Sequence, residues 1–235
     1  MPALARLLLA LTLVVAIVDW IAVGLTTASR AGSRRQRHAQ AVGYVAKPAT
    51  MVLLALFLLA LTAGGPQPRA QVWLFFMALV LSLAGDVFLM LPTDLFLPGV
   101  ASFALAHVAY IVGILGFGHV ESWSGPGLAW LVLVLAAIPL VRRLLGAIDD
   151  RAERASVAIY MVVIGVMVGA AWTLPWRSGV PLAAGVAGAI GASLFFTSDS
   201  IIGWRRFVRD FPTSAVLVIV TYHLGQIGLV LSLAR

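Results

Sequence analysis

Leu81-Ser82-Leu83-Ala84-Gly85-Asp86-Val87-Phe88-Leu89-Met90-Leu91 is an apolar run able to lie in lipid, and it carries a carboxylate. A second run, Gly191-Ala192-Ser193-Leu194-Phe195-Phe196-Thr197-Ser198-Asp199-Ser200-Ile201-Ile202, repeats the arrangement late in the chain. A carboxylate at the bilayer centre costs roughly +2.5 to +3.5 kcal/mol on insertion scales, so something must offset that cost. The two aspartates therefore read as halves of one site, facing one another across a wet pocket and dividing a proton between them.

The rest of the chain fits a lipid setting. Its 235 residues are 62% hydrophobic and 11% charged, against about 25% charged in soluble domains. The net charge of +7 is no sign of nucleic acid, because the arginines sit in short connections between apolar spans. There they set topology and meet anionic head groups. With no cysteine, disulfides, thiol nucleophiles and cysteine metal sites are excluded. Fifteen arginines against one lysine, with abundant Ala, Gly and Leu, point to a GC-rich bacterial genome. The expected location is thus a bacterial inner membrane.

Eight stretches approach the ~20 residues a helix needs to cross: 3–26, 42–61, 71–91, 95–117, 128–141, 155–174, 180–204 and 213–233. The first is too long for a signal peptide, and Asp19-Trp20 interrupts it where cleavage would fall. The fifth is short and holds Pro139. Gly64-Gly65-Pro66-Gln67-Pro68 reads as a turn, residues 118–127 as a polar loop with His119 and Glu121, and 142–154 as a charged loop. The predicted fold is an all-α membrane protein, an eight-transmembrane-helix bundle forming a single domain over residues 1–235. Four spans in each half suggest two parallel pseudo-repeats, 1–118 and 119–235.

Arginine bias sets the orientation. Connections after spans one, five and seven hold Arg30, Arg34, Arg35, Arg37, Arg142, Arg143, Arg151, Arg154, Arg205, Arg206 and Arg209; the other side has Arg6, Arg69, Arg177 and Arg235. Both termini are expected on the non-cytoplasmic side. Asp86, Asp199 and Lys47 then fall in one layer near the cytoplasmic face, with Lys47 in the first turns of span two. In the second half, Tyr160 occupies the place of Lys47.

Other polar groups cluster by helical spacing. His107 and Tyr110 share a face of span four, and Tyr222 and Gln226 share a face of span eight beside His223. They serve either as interhelical hydrogen bonds or as donors lining a cavity above the aspartates. Lys47 is either a snorkelling residue or a counter-ion for an aspartate or a phosphate. The aspartates are either packing groups satisfied by Ser82, Ser198 and Ser200, or an acid and base pair. His107, His223, Asp86 and Asp199 would suffice in number for a metal, but no compact ligand motif appears, so no metal and no cofactor is expected. Asp19 finds no place in this scheme.

At these residues the chain resembles the YhhN-like family of membrane proteins, whose characterised members are lysoplasmalogenases. The matching pieces are Lys47-Pro48, Gly85-Asp86, the stretch 96–110 with Gly99, Phe103, His107 and Tyr110, then Ser198-Asp199 and the stretch 222–226. The resemblance spans nearly the whole chain. It implies hydrolysis of the vinyl ether of a lysophospholipid to a fatty aldehyde and a glycerophospho-alcohol, with Asp86 and Asp199 as the catalytic pair. The expected partners are that lysophospholipid and membrane lipids. Rival readings from the residues are a proton-coupled transporter using the same carboxylates, a metal-dependent lipid hydrolase, and a non-catalytic lipid-binding protein.

Overall fold

The computed structural model describes residues 1–63, 65 and 69–234; the turn expected at 64–68 lies, Gly65 apart, outside the described residues. Eight helices follow in order: α1 (Ala3–Ala28), α2 (Arg34–Thr62), α3 (Arg69–Met90), α4 (Phe96–Leu115), α5 (Ser124–Gly146), α6 (Arg151–Ala171), α7 (Leu182–Phe207) and α8 (Ser214–Leu231). A short 3-10 turn, Leu174–Trp176, precedes α7. All eight are long and apolar enough to cross a bilayer, and the chain is a multi-pass membrane protein.

The helices wear their large apolar side chains outward. Leu7, Val14 and Ile21 on α1, Leu105 and Val112 on α4, and Ile159 and Val162 on α6 are all exposed. The interior is an apolar core, with Phe57, Phe75 and Phe195 fully buried, and Asp86, His107, Ser198, His223 and Gln226 are buried within it. Apolar groups on the outer face as well fit a surround of hydrocarbon, which leaves them without a hydrophobic penalty.

Local signals explain where the helices depart from expectation. Ser33 caps α2 by accepting a hydrogen bond from the Gln36 amide at 3.2 Å, so α2 starts at Arg34 rather than 42. Lys47 and Pro48 consequently lie mid-helix, not in the first turns. Asp150 caps α6 by accepting from the Glu153 amide at 2.7 Å. The charged loop expected over 142–154 is therefore mostly helix, with only 147–150 connecting α5 to α6. Span five is longer than expected, 23 residues, but it packs chiefly on α6 and lightly on α7.

Packing is closest in the hairpins α1–α2, α3–α4 and α7–α8. Helix α4 packs across onto α6, and α8 onto α1 and α2, closing the bundle. At one end, Arg206 joins three elements: its Nη2 lies 3.0 Å from an Asp94 oxygen and 3.1 Å from a Glu153 oxygen. At the other end, the buried Arg177 donates to the Phe117 and Gly118 carbonyls at 3.1 and 2.9 Å. That fastens the start of the α6–α7 connection to the end of α4.

Candidate functional site

The buried polar groups gather into two triads. In the first, the Lys47 ammonium of α2 lies 2.8 Å from Asp86 Oδ1 on α3, and the Tyr222 hydroxyl of α8 donates to Asp86 Oδ2 at 2.6 Å. In the second, the Tyr160 hydroxyl of α6 donates to Asp199 Oδ2 on α7, and His107 Nε2 of α4 lies 3.4 Å from the same oxygen. His107 Nε2 also meets the Tyr160 hydroxyl at 2.9 Å. Each carboxylate thus takes one partner from the preceding helix of its own half and one from the last helix of the other half.

The two aspartates were expected to face one another; in the structure each carboxylate has partners of its own. Each carboxylate is satisfied by its own triad, and a chain of rings links them. Tyr222 packs on Phe195 with centroids 5.3 Å apart, and Phe195 packs on His107 at 4.7 Å. Phe103 closes the cluster against both Phe195 and Tyr222. Two cavities lie beside the triads. Asp199 and Tyr160 line a small apolar one of about 40 Å³, while Lys47 lines an open one of about 340 Å³ with Asp19 and Arg205.

The serines do not serve the carboxylates. Ser198 donates to the Val218 carbonyl at 3.0 Å, whereas the Ser82 and Ser200 hydroxyls have no partner among the described residues. Tyr110 donates to Gln226 Oε1 at 2.6 Å, tying α4 to α8. His223 stands apart from both triads: its Nδ1 accepts from the Trp20 indole at 3.1 Å. His107 and His223 therefore answer to different partners. Among the described residues no three His, Asp, Glu or Cys side chains come close enough to hold a metal ion. The histidine and tyrosine donors were expected in a layer above the aspartates; His107 and Tyr222 instead touch them, because α4 and α8 cross from the opposite half.

Sequence reading noted Asp19 without placing it. Asp19 is 1% exposed, and neither of its oxygens has a hydrogen-bond partner among the described residues. The signal was present, an acid inside the first apolar span, but nothing in the sequence placed α1 beside Lys47.

An eight-helix bundle of this hydropathy, with two carboxylate triads buried between its helices, defines a polytopic membrane protein. The chain belongs to the YhhN family, whose model matches residues 42–233. It is 34% identical over 195 residues to the Sus scrofa protein named lysoplasmalogenase TMEM86B, covering 83% of this chain and 76% of the relative. A Mycobacterium bovis protein named lysoplasmalogenase is 29% identical over 188 residues, 77% of this chain and 67% of the relative. The Escherichia coli O6:H1 membrane protein YhhN is 26% identical over 195 residues, 81% of this chain and 86% of the relative. No solved structure gives a significant match.

Proposed function

We propose that this protein hydrolyses the vinyl ether of lysoplasmalogen-type lysophospholipids, releasing a fatty aldehyde and a glycerophospho-alcohol. Support comes from the relatives' names and from one observation above all: the two buried carboxylates have unlike partners. Asp86 forms an ion pair with Lys47. Asp199 is met by a phenol and an imidazole, with no lysine or arginine on it among the described residues, and it borders an apolar cavity. Pairs of acids in unlike surroundings divide the acid and base roles.

A vinyl ether resists base and yields to acid. In this reading Asp199 is the proton donor. It delivers its proton to the outer vinyl carbon, and the double-bond electrons form the new C–H bond, leaving an oxocarbenium ion. The ring faces of Phe103 and Phe195 favour a cation beside them. Water then adds to the cationic carbon. Its proton passes through the Tyr222 hydroxyl towards Asp86, the anion of the site. The hemiacetal collapses as Asp86 returns its proton through Tyr222 to the glyceryl oxygen and Asp199 takes the proton of the hemiacetal hydroxyl; the C–O bond breaks, aldehyde and alcohol leave, and both carboxyls return to their starting states. The division of labour parallels acetal cleavage by paired carboxylates.

The lipid chain has a place to lie. An apolar groove of about 520 Å³ runs between α5, α6 and α7, lined by Trp130, Leu133, Val166 and Phe196. Met161 lines both this groove and the Asp199 cavity, which sets the two side by side.

The test is substrate selectivity. Purified protein in detergent should release aldehyde from a 1-alkenyl lysophosphoethanolamine and leave the saturated 1-alkyl analogue intact. No aldehyde from the alkenyl lipid, or consumption of both lipids, would contradict the reading.

A further inference from the structure

His107 belongs to the Asp199 triad, yet the proposed chemistry does not use it. Its ring is fully buried and held in place: Phe195 packs edge-on against it with centroids 4.7 Å apart, and the Tyr160 ring lies 5.4 Å away. Its Nδ1 has no hydrogen-bond partner among the described residues. That orphan decides the state of the ring. The Tyr160 hydroxyl has one proton. When that proton goes to Asp199 Oδ2, the phenol oxygen accepts from His107 Nε2, 2.9 Å away. The ring then carries its hydrogen on Nε2, and Nδ1 is a bare lone pair. The reverse order, Asp199 donating to Tyr160 and Tyr160 to Nε2, puts the hydrogen on Nδ1, where nothing among the described residues accepts it. An imidazolium does the same and adds a charge. A buried N–H without an acceptor is rarer in folded proteins than an unmet lone pair, and a buried charge without a partner is costly.

The consequence reaches Asp199. With Oδ2 taken by the phenol proton, a proton on this carboxyl sits on Oδ1, the oxygen that no side chain takes among the described residues. The residue borders the apolar cavity. We propose that His107 is a positioning residue: as a neutral imidazole donating from Nε2, it holds the Tyr160 hydroxyl on Asp199 Oδ2 and so leaves the carboxyl proton on Oδ1. This deepens the hydrolase reading and rests on it for what the carboxyl proton does, while the state of the ring is measured without substrate.

The experiment uses the full wild-type chain in lipid bilayers at neutral pH, with heavy nitrogen in histidine and heavy carbon at the alanine carbonyl. Ala106-His107 is the single Ala-His step in the sequence, so solid-state NMR selects this ring among the four histidines. The spectrum should show a protonated Nε2 and an unprotonated Nδ1. Hydrogen on Nδ1, alone or together with Nε2, would overturn the proposal. Turnover gives the second arm. A glutamine amide reaches the place of Nε2, an asparagine amide only that of Nδ1. His107→Gln should stay within about threefold of wild type in kcat, while His107→Asn and His107→Phe each lose about tenfold with KM unchanged, the scale of one hydrogen bond. His107→Phe/Tyr160→Phe should lose no more than Tyr160→Phe alone, because the imidazole acts through the phenol. Equal losses in the Gln and Asn variants, or a double variant whose loss is the product of the single ones, would overturn the positioning role. If the variants fail to fold, the ring of the wild-type protein still decides. Hydrogen on Nε2 without aldehyde release would sink the hydrolase reading and leave the triad's proton order standing. Aldehyde release with hydrogen on Nδ1 would do the reverse.

Discussion

The Lys47 ammonium lies 2.8 Å from the buried Asp86 carboxylate. Removing one member of a buried ion pair typically costs about 3–5 kcal/mol, because the other charge is left without compensation. Lys47→Met should therefore lower the thermal midpoint in detergent markedly. The double variant Lys47→Met/Asp86→Leu should recover most of that loss without recovering turnover. A Lys47→Met protein as stable as wild type would show that the pair carries little energy. At this scale the sequence was partly legible. Charges inside apolar spans marked Asp86, Asp199 and Lys47, since lipid makes such residues expensive. Their partners were not legible, because Tyr222 and His107 come from helices more than fifty residues away, and only the crossing of α4 and α8 brings them in. Asp19 stayed unplaced for the same reason.

Among the elements, α7 and α8 make the closest contact. A Cβ on Gly191 would lie 2.7 Å from the Gly225 carbonyl oxygen and the Leu229 nitrogen, so the two backbones touch with nothing between them. Small residues permit such approach in membrane bundles. Gly191→Ala pushes on backbone that cannot yield, and should cost about 1–3 kcal/mol, read as a lower thermal midpoint. Gly146→Ala, in open space, should be neutral or slightly stabilising. Equal effects of the two substitutions would refute the close-contact argument. All eight spans were readable from hydropathy, while their ends were not. Ser33 and Asp150 extend α2 and α6 past the apolar runs through capping, which hydropathy does not register. Helix α5 was underestimated because Arg142 and Arg143 lie within its last turns, where a charge at a helix end costs little. Its exposed faces and loose packing fit a lateral wall beside the apolar groove.

At the scale of the whole bundle, the arginine-rich end is held by charge as well as by packing. Hydrogen bonds from Arg206, then from the Phe96 amide, hold Asp94 below the ordinary carboxylate range. The Ser214 hydroxyl, then Arg205 and the Phe211 amide, hold Asp210 down to about 2. Unfolded aspartates titrate near 3.9. The native values lie lower, so this stabilisation is complete above about pH 5 and lost as pH falls towards about 2. The groups are exposed and the effect modest. The thermal midpoint should be level from pH 7 to pH 5 and fall below pH 4, with a shallower fall in Arg206→Gln. A midpoint that rises on acidification would contradict this sign. The same end carries the open cavity lined by Lys47 and Arg205.

The account turns on unequal roles for two acids that never touch, and aldehyde release by the isosteric amide variants tests it most directly. Asp199→Asn and Asp86→Asn, each folded by thermal midpoint, should each lose at least about a hundredfold in turnover of a 1-alkenyl lysophospholipid, the scale of a lost general acid or base. Turnover within about threefold of wild type in either variant would contradict it.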